Sequence, residues 1–452
     1  MGTLEGWIER EYRHAARCLL TCISPLGIIK HRPGFGQTIS PKAGSVVASA
    51  VLASYDPDPD YFFHWYRDSA IVMDALRLVL AEGSVAAEAR TRFAEFVDFS
   101  LSLAPLDGRT LVAAPEWRRH VQPDFARFLR TEADLASVHG DAVYADTRVN
   151  ADGSLDISSW ARPQHDGIAS RALTLLRWSR QASTAHATPG TTAEGEALAR
   201  LLRADLAYVR RYACEPCYDI WEEELGQHYY TLRVGTEALE QGAAWLAARA
   251  LEQEAQASRA AAAHLRALLD DYWLPEAGHY RSRILPGGRR SPKELDIAVI
   301  LAVVHSAEGA ADAQPLAHGV RDARVLATLD RLCALFRTEY AINRDLPAER
   351  EAALGRYPGD VYYSGGAYYF STLAAAELCY RAACGAAAAC ELVRRGDAFL
   401  ETVRAFTPQS GDLSEQFDRR TGEQTSAKHL AWSYAAFISC ITARQQARRQ
   451  NC

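Results

Sequence analysis

Helical periodicity is the feature of this 452-residue sequence that most constrains its fold. Apolar residues recur at helical spacing in about twelve stretches, while the alternation of a half-buried strand is scarce. Leu4, Trp7 and Ile8 begin one such stripe, as on the buried face of an amphipathic helix. The sequence therefore predicts an all-α fold. The predicted helices span 5–22, 66–82, 87–103, 167–182, 193–211, 236–254, 257–272, 293–306, 322–336, 367–384, 391–405 and 428–446.

Long, polar and aromatic connections separate several of these helices. They span 24–65, 104–166, 212–235, 337–366 and 406–427. Long ordered loops in a compact helical chain are uncommon and tend to carry function. We therefore expect the functional residues in these loops. Because no Gly/Ser- or Pro-rich linker divides the chain, we predict a single domain over residues 1–452.

The amino-acid composition limits the kinds of partner that this protein is expected to bind. A net charge of −6 and a pI near 6.1 argue against nucleic acid and favour a neutral or weakly charged small molecule. No run approaches the roughly 18 apolar residues of a membrane span. The N-terminus has no basic segment followed by an apolar core, so no signal peptide is expected. The protein is then cytoplasmic or a mature secreted form, and we expect a monomer.

Ten cysteines are present, and most lie in apolar helical runs, as small buried residues do. Cys214 and Cys217 form the one C-x-x-C motif. A structural zinc site would need a second pair of ligands. We therefore expect no metal and no cofactor, and interpret the motif as a reduced pair or a local disulfide.

Two acidic runs embedded in aromatic residues are the strongest chemical signal. They are Tyr218–Glu223 and Leu413–Asp418. A carboxylic acid beside aromatic rings is poorly solvated and holds its proton more tightly. Two such groups brought together form the acid and base that cleave a glycosidic bond. The alternative is that these acids are ordinary exposed loop residues.

Further loop-to-helix clusters carry groups suited to sugars. Arg67 can donate to sugar hydroxyls and Asp68 can accept from them, while Tyr61 and Trp65 offer flat apolar walls. The alternative is that Asp68 caps a helix and that the aromatic rings belong to the core. Similar clusters occupy 159–167, 355–363 and 414–418.

Taken together, these motifs resemble the glucoamylase family of inverting exo-acting α-glucosidases, glycoside hydrolase family 15. The resemblance runs from about Gly27 to Tyr434. It implies an all-α (α/α)6 toroid, with six inner and six outer helices and long catalytic loops on one rim. It also implies one catalytic domain without an appended carbohydrate-binding module. The matching segments begin at Asp60 (DYFFHWYRD), Trp160 (WARPQHDG), Tyr218 (YDIWEE), Arg356 (RYPGDVYY), Ser414 (SEQFD) and Ala431 (AWSY).

The resemblance assigns roles to individual residues. Glu222 is implied to be the general acid that protonates the glycosidic oxygen, and Glu415 the general base that activates water. Such a pair acts across about 6.5–9.5 Å. Arg67 and Asp68 are implied to hold the terminal glucose. The other implied substrate-binding residues are Tyr61, Trp65, Trp160, Arg162, Asp166, Trp221, Glu223, Arg356, Asp360, Tyr368 and Trp432.

Three positions depart from the common family pattern. Tyr368 stands where a Trp is common, His165 replaces an Arg, and Phe417 replaces a frequent Tyr. We expect these positions to contact the leaving-group sugars and to affect linkage preference. The expected activity is release of β-glucose from non-reducing ends of α-glucans, of the glucan 1,4-α-glucosidase type. Hydrolysis of α-1,6 linkages (isomaltose or dextran) or of other α-glucosidic linkages is the alternative.

Two other classes of protein share this helical architecture. One is a non-catalytic carbohydrate-sensing toroid, which we would expect to have lost a glutamate or the Arg67–Asp68 pair. The other is an unrelated toroidal lyase or terpenoid cyclase. A cyclase requires Asp-rich motifs, which this sequence does not contain.

Overall fold

The computed structural model describes residues 3–55, 57–81, 86–184, 193–307, 317–386 and 388–451. Fourteen α-helices form within these ranges. They are α1 (Leu4–Thr21), α2 (Tyr66–Ala81), α3 (Ala86–Leu103), α4 (Gly108–Ala113), α5 (Glu132–Ser137), α6 (Asp166–Thr184), α7 (Ala193–Tyr212), α8 (Tyr229–Ala247), α9 (Glu252–Leu269), α10 (Ala298–Ser306), α11 (Ala323–Glu339), α12 (Tyr369–Ala383), α13 (Ala389–Phe406) and α14 (Ala431–Asn451).

All twelve predicted helices are present, and two short ones were missed. The missed helices, α4 and α5, lie within the predicted 104–166 loop and have six residues each. Six residues are too few to display a helical period. Each is instead started by a side-chain cap, because Asp107 accepts from the N–H of Arg109 and Thr131 accepts from that of Asp134.

The helix predicted at 236–254 was placed wrongly. The structure has α8 from Tyr229 to Ala247 and a new helix, α9, from Glu252. Ala250 lies between them with a left-handed φ of 58°. The alanine-rich sequence has high helix propensity throughout, which conceals this break.

Twelve strands of two to four residues and seven short 3-10 helices complete the described secondary structure, and the predicted scarcity of strands is confirmed. Antiparallel pairs join β1 to β2, β3 to β4, β6 to β9 and β7 to β8, and β10, β11 and β12 pair in that order. The strands are β1 (Lys30–Arg32), β2 (Gln37–Ile39), β3 (Phe63–Trp65), β4 (Arg148–Asn150), β5 (Cys217–Tyr218), β6 (Leu225–His228), β7 (Trp273–Leu274), β8 (His279–Tyr280), β9 (Arg283–Ile284), β10 (Ala367–Tyr368), β11 (Gln416–Phe417) and β12 (Gln424–Thr425).

The chain divides into two compact units. The first comprises residues 1–19, 226–237 and 260–452, and the second residues 20–225 and 238–259. Within the described ranges, no helix is both long and apolar enough to cross a membrane. Cys214 and Cys217 are not joined by a disulfide, so the C-x-x-C motif is a reduced pair.

The first unit is built around α12. All but one of its fifteen residues are buried, as expected for a helix that is apolar on every side. It packs against α10, α13 and α14. The N-terminal α1 joins this unit through Trp7, whose ring meets Phe437 of α14 edge-on at 5.4 Å.

The second unit centres on α2 and α6, which pack against each other, with α7 next to α6. Trp178 of α6 donates its indole N–H to the carbonyl of Met73 at 2.9 Å. Arg171 of α6 makes two hydrogen bonds, of 2.9 and 2.7 Å, to Asp205 of α7. Both side chains of this ion pair are fully buried, so each charge depends on the other for compensation.

Candidate active site

Glu222 lies in a tight turn of the second unit. Its N–H donates to the carbonyl of Asp219 at 2.9 Å, and the N–H of Glu223 donates to the Asp219 carboxylate at 2.8 Å. The turn gives Glu222 a left-handed φ of 65°. Only glycine, and occasionally Asn or Asp, adopts this conformation at low cost, and such strain is common at functional residues.

Two indoles hold the Glu222 carboxylate. The Trp65 indole N–H donates to Oε1 at 2.9 Å, and the Trp160 indole N–H makes a short hydrogen bond to Oε2. The guanidinium of Arg67 lies 3.5 Å from Oε1. With only 11% of its side chain exposed, Glu222 is oriented by Trp65 and Arg67 from the junction of β3 and α2 and by Trp160 from a loop.

An arginine that was not predicted positions the two indoles. Trp65 ends β3 and lies opposite Arg148, the first residue of β4. The Arg148 guanidinium is 4.7 Å from the centre of the Trp65 ring and 3.7 Å from that of Trp160. Cation–π contact with Arg148 therefore holds the Trp65 and Trp160 indoles in the positions from which they donate to Glu222. Nothing in the local sequence distinguishes Arg148 from a surface arginine, because the signal lies in strand pairing.

Arg67 and Asp68 begin α2, where they meet the start of α6. Arg67 lies 3.1 Å from Asp68 and 3.6 Å from Asp166. The two helix starts can approach this closely because of Gly167, where a Cβ would lie 2.7 Å from that of Tyr66. Burial raises the pKa of Asp68, and it raises that of Asp166 to about 6, while Arg67 opposes both shifts.

Arg162 donates to its own loop. It bonds the carboxylates of Asp146 and Asp156 and the carbonyl of Trp160. These contacts shape the loop that presents Trp160, whose side chain remains exposed. Tyr61 meets the Trp65 ring edge-on at 5.3 Å. Trp221 and Glu223 flank Glu222 in the turn and are half-buried.

Glu415 lies in the first unit, immediately before β11. Strands β11 and β12 pair Gln416 with Thr425, so the antiparallel register places Glu415 opposite Ser426. The Ser426 hydroxyl makes a short hydrogen bond to Glu415 Oε2. Ser426 was not predicted. The available signal was the Gly422 turn, which implies a hairpin returning past Glu415.

A chain of polar contacts lies behind Glu415. Gln416 donates its amide N–H to the Tyr368 hydroxyl at 2.8 Å. Asp360 accepts two hydrogen bonds from Arg356, of 2.7 and 2.6 Å, and lies 3.4 Å from the Tyr368 hydroxyl. Burial raises the pKa of Tyr368 well above its ordinary value, with nearby Glu415 adding to the shift. Tyr368 therefore acts as a neutral hydrogen-bonding group.

Trp432 is buried, and so are His165 and Phe417, two of the positions that depart from the common family pattern. Trp432 stacks on Phe370 with 4.4 Å between ring centres. Phe417 is fully buried against the aromatic core, and His165 accepts or donates a 2.7 Å hydrogen bond with the Tyr208 hydroxyl. Burial lowers the pKa of His165 to about 4. The described contacts of His165 and Phe417 are with side chains of their own units, and their contact with leaving-group sugars stays a prediction.

The predicted residues fall into two clusters, one in each unit. The second unit holds Tyr61, Trp65, Arg67, Asp68, Trp160, Arg162, Asp166, Trp221, Glu222 and Glu223. The first unit holds Arg356, Asp360, Tyr368, Glu415 and Trp432. Glu222 in the second unit and Glu415 in the first are each oriented by neighbouring hydrogen-bond donors, as an acid or base in catalysis requires.

Known proteins share both the sequence pattern and the fold. The sequence matches the profile described as "Glycosyl hydrolases family 15" over residues 145–395 and 389–442. It is 26% identical over 473 residues to Glucoamylase-1 of Schizophyllum commune, covering 97% of this chain and 76% of that protein.

Comparison with solved structures shows that the fold of this chain is also similar to that of known proteins. A family 15 glucoamylase from Hypocrea jecorina superposes with a TM-score of 0.79 at 24% identity, covering 98% of this chain and 72% of that one. The glucoamylase from Saccharomycopsis fibuligera gives 0.78 at 21% identity, covering 99% and 96%. The predicted all-α (α/α)6 fold class is confirmed.

The family match makes this chain a glycoside hydrolase by class, and the prediction of a hydrolase is confirmed. The chain belongs to glycosyl hydrolase family 15, as the motif resemblance implied.

Proposed function

We propose that this chain is an inverting, exo-acting α-glucan hydrolase that releases β-glucose from non-reducing ends, with Glu222 as general acid and Glu415 as general base. The observation that carries the proposal is the Glu222 carboxylate held by the Trp65 and Trp160 indoles beside Arg67. Family membership supports an α-glucan as the substrate class.

The acid step follows from the surroundings of Glu222. A carboxylic acid fixed by two indole donors cannot rotate freely, so its proton is presented in one direction. Protonation of the glycosidic oxygen converts a poor leaving group into a neutral alcohol. Arg67, 3.5 Å from Oε1, stabilises the carboxylate that remains after the proton has left.

The base step follows from the surroundings of Glu415. The hydroxyl of Ser426 engages one carboxylate oxygen and thereby fixes the plane of the group. Glu415 removes a proton from a water that attacks the anomeric carbon on the face opposite the leaving group. Because no glycosyl-enzyme intermediate forms, the configuration inverts and an α-glucoside yields β-glucose.

Substrate recognition rests on Arg67 and Asp68 for hydroxyl groups and on the exposed ring of Trp160 for an apolar sugar face. The α-1,4 linkage is proposed as preferred and α-1,6 is the alternative. Glucose release from maltose, isomaltose, kojibiose and trehalose distinguishes them. In this proposal residues 1–452 act as one catalytic domain and as a monomer, without nucleic acid or membrane.

Proton NMR during the first minutes of maltose hydrolysis tests the mechanism. β-Glucose is expected as the first product, before mutarotation equilibrates the anomers. Initial α-glucose would indicate a retaining enzyme and would remove Glu415 from the role of base.

A further inference from the structure

A cluster of metal-ligating side chains lies in the first unit, outside the residues assigned above. His14 and Cys18 are four residues apart on α1 and therefore share one helix face. Asp412 lies in the segment before β11. The ligand atoms of these three residues all lie within 4.8 Å of one another. They are an imidazole nitrogen, a sulfur and a carboxylate oxygen, a mixed set of the kind that transition metals bind.

Two contacts in this cluster converge on one atom of His14, and the Cys18 thiol is also hydrogen-bonded to Tyr434. His14 Nε2 is 3.0 Å from Asp412 Oδ1 and 3.3 Å from Cys18 Sγ. A ring nitrogen carries either one proton or one lone pair, so it cannot serve both partners fully. In a Cys-His-Asp catalytic arrangement the thiol and the carboxylate contact opposite ring nitrogens. Convergence on one nitrogen instead fits three ligands around a shared cation.

A second imidazole borders the same carboxylate. His429 Nδ1 is 3.7 Å from Asp412 Oδ1 and 2.9 Å from the Tyr434 hydroxyl. Zinc bonds of about 2.0–2.3 Å in a tetrahedron place neighbouring ligand atoms roughly 3.3–3.8 Å apart. The separations of 3.0, 3.3 and 3.7 Å in this cluster are close to that spacing. His429 borders this group but is not among the residues whose ligand atoms all lie within 4.8 Å of one another.

A buried carboxyl group adds an independent observation. Glu11 is 4% exposed, and its Oε1 has no hydrogen-bond partner among the described residues. At Gly411, next to Asp412, a Cβ would lie 2.9 Å from Glu11 Oε2 and 3.0 Å from His14 Cδ2. Glu11 therefore adjoins the cluster. A buried polar oxygen without a hydrogen-bond partner is costly, and an ion in the cluster would bring a partner close to it.

We propose that His14, Cys18 and Asp412 bind one Zn²⁺ ion, with the fourth position of the tetrahedron left to water. The thiolate and imidazole ligands favour zinc over calcium or magnesium, which prefer oxygen. The side chains of His14 and Asp412 are 21% and 34% exposed, so the ion has an entry path. No metal was predicted from the sequence.

The ion ties two distant parts of the chain together. It joins α1 to the segment that carries Asp412, and Glu415 follows three residues later. An ion that binds only the folded state stabilises that state. Zinc in this position therefore clamps the N-terminal helix to the base-carrying segment.

The test uses the purified full chain, stripped with a chelator, exposed to Zn²⁺ and then dialysed. Elemental analysis is expected to find one retained zinc per chain. Co²⁺ in place of Zn²⁺ is expected to give a thiolate charge-transfer absorption in the near ultraviolet. Cys18→Ser should abolish this absorption and weaken zinc binding at least about tenfold, since even indirect partners of a metal contribute that much. Cys390→Ser, at an exposed cysteine outside the cluster, is the matched control and should bind like the parent.

Thermal unfolding gives a second measurement on the same proteins. Zinc should raise the melting temperature of the parent and of Cys390→Ser, and should not raise that of Cys18→Ser or His14→Gln. Circular dichroism identifies any variant that fails to fold, and the parent alone then decides the outcome. Absence of retained zinc in the parent, or equal retention by Cys18→Ser, would overturn the proposal.

Discussion

Replacing Trp65 with Phe isolates the contribution of one indole donor to Glu222, the proposed general acid. The substitution keeps an aromatic ring next to Tyr61 and removes the 2.9 Å hydrogen bond to Glu222 Oε1. A hydrogen bond to a charged group contributes about 1.5–3 kcal/mol. If that energy orients the acid in the transition state, kcat on maltose should fall roughly 10- to 150-fold.

The choice of substrate tests this reasoning. An α-glucosyl fluoride needs little protonation to leave, so misplacing the acid should slow its hydrolysis far less than that of maltose. Trp178→Phe is the matched control, because it removes an indole hydrogen bond of the same 2.9 Å length to a backbone carbonyl. The control should slow both substrates equally if it slows either. Equal losses on maltose and fluoride in Trp65→Phe would refute the idea that Trp65 acts through the acid.

Three further predictions concern catalysis, pH and stability. Glu415→Gln should abolish turnover of both substrates while calorimetry still detects maltose binding, whereas Glu222→Gln should retain much of the activity on the fluoride. Because burial raises the pKa of Asp166 from 3.8 to about 6, the free energy of unfolding should fall by up to about 3 kcal/mol as pH rises through that window. Asp166→Asn should remove this dependence in denaturant titrations, and an unchanged slope would contradict it. Asp205→Asn should cost about 3–5 kcal/mol by leaving its arginine buried and unpaired. Glu254→Gln, at an exposed ion pair between α9 and Arg203 of the helix that carries Asp205, should cost less than about 1 kcal/mol.

Most of the fold could be predicted from the helical periodicity of the sequence. Long amphipathic helices such as Leu4–Thr21 and Ala193–Tyr212 were placed to within a residue or two, because burying one face requires a repeating apolar pattern. The predicted helix 236–254 extended beyond the real end of α8 at Ala247, because an alanine-rich sequence continues past that residue. Propensity alone does not indicate where tertiary packing ends a helix.

The candidate site also has some residues that could be predicted from the sequence and others that could not. Contiguous motifs such as Arg67–Asp68 and Trp221–Glu223 could be recognised directly, since their chemistry is local in the sequence. Arg148 and Ser426 could not, because their roles arise from strand register. For the proposed zinc ligands, the four-residue spacing of His14 and Cys18 was visible, but their convergence with Asp412 is a tertiary contact.

At Glu222 the left-handed backbone conformation lowers the stability of the fold, while the side chain is the proposed general acid. A residue with a Cβ pays about 1–2 kcal/mol for this conformation, and glycine would not. Glu222→Gly should therefore relieve strain in the turn while removing the acid. In the proposed mechanism the acid at this position is therefore kept at a cost in backbone conformational energy.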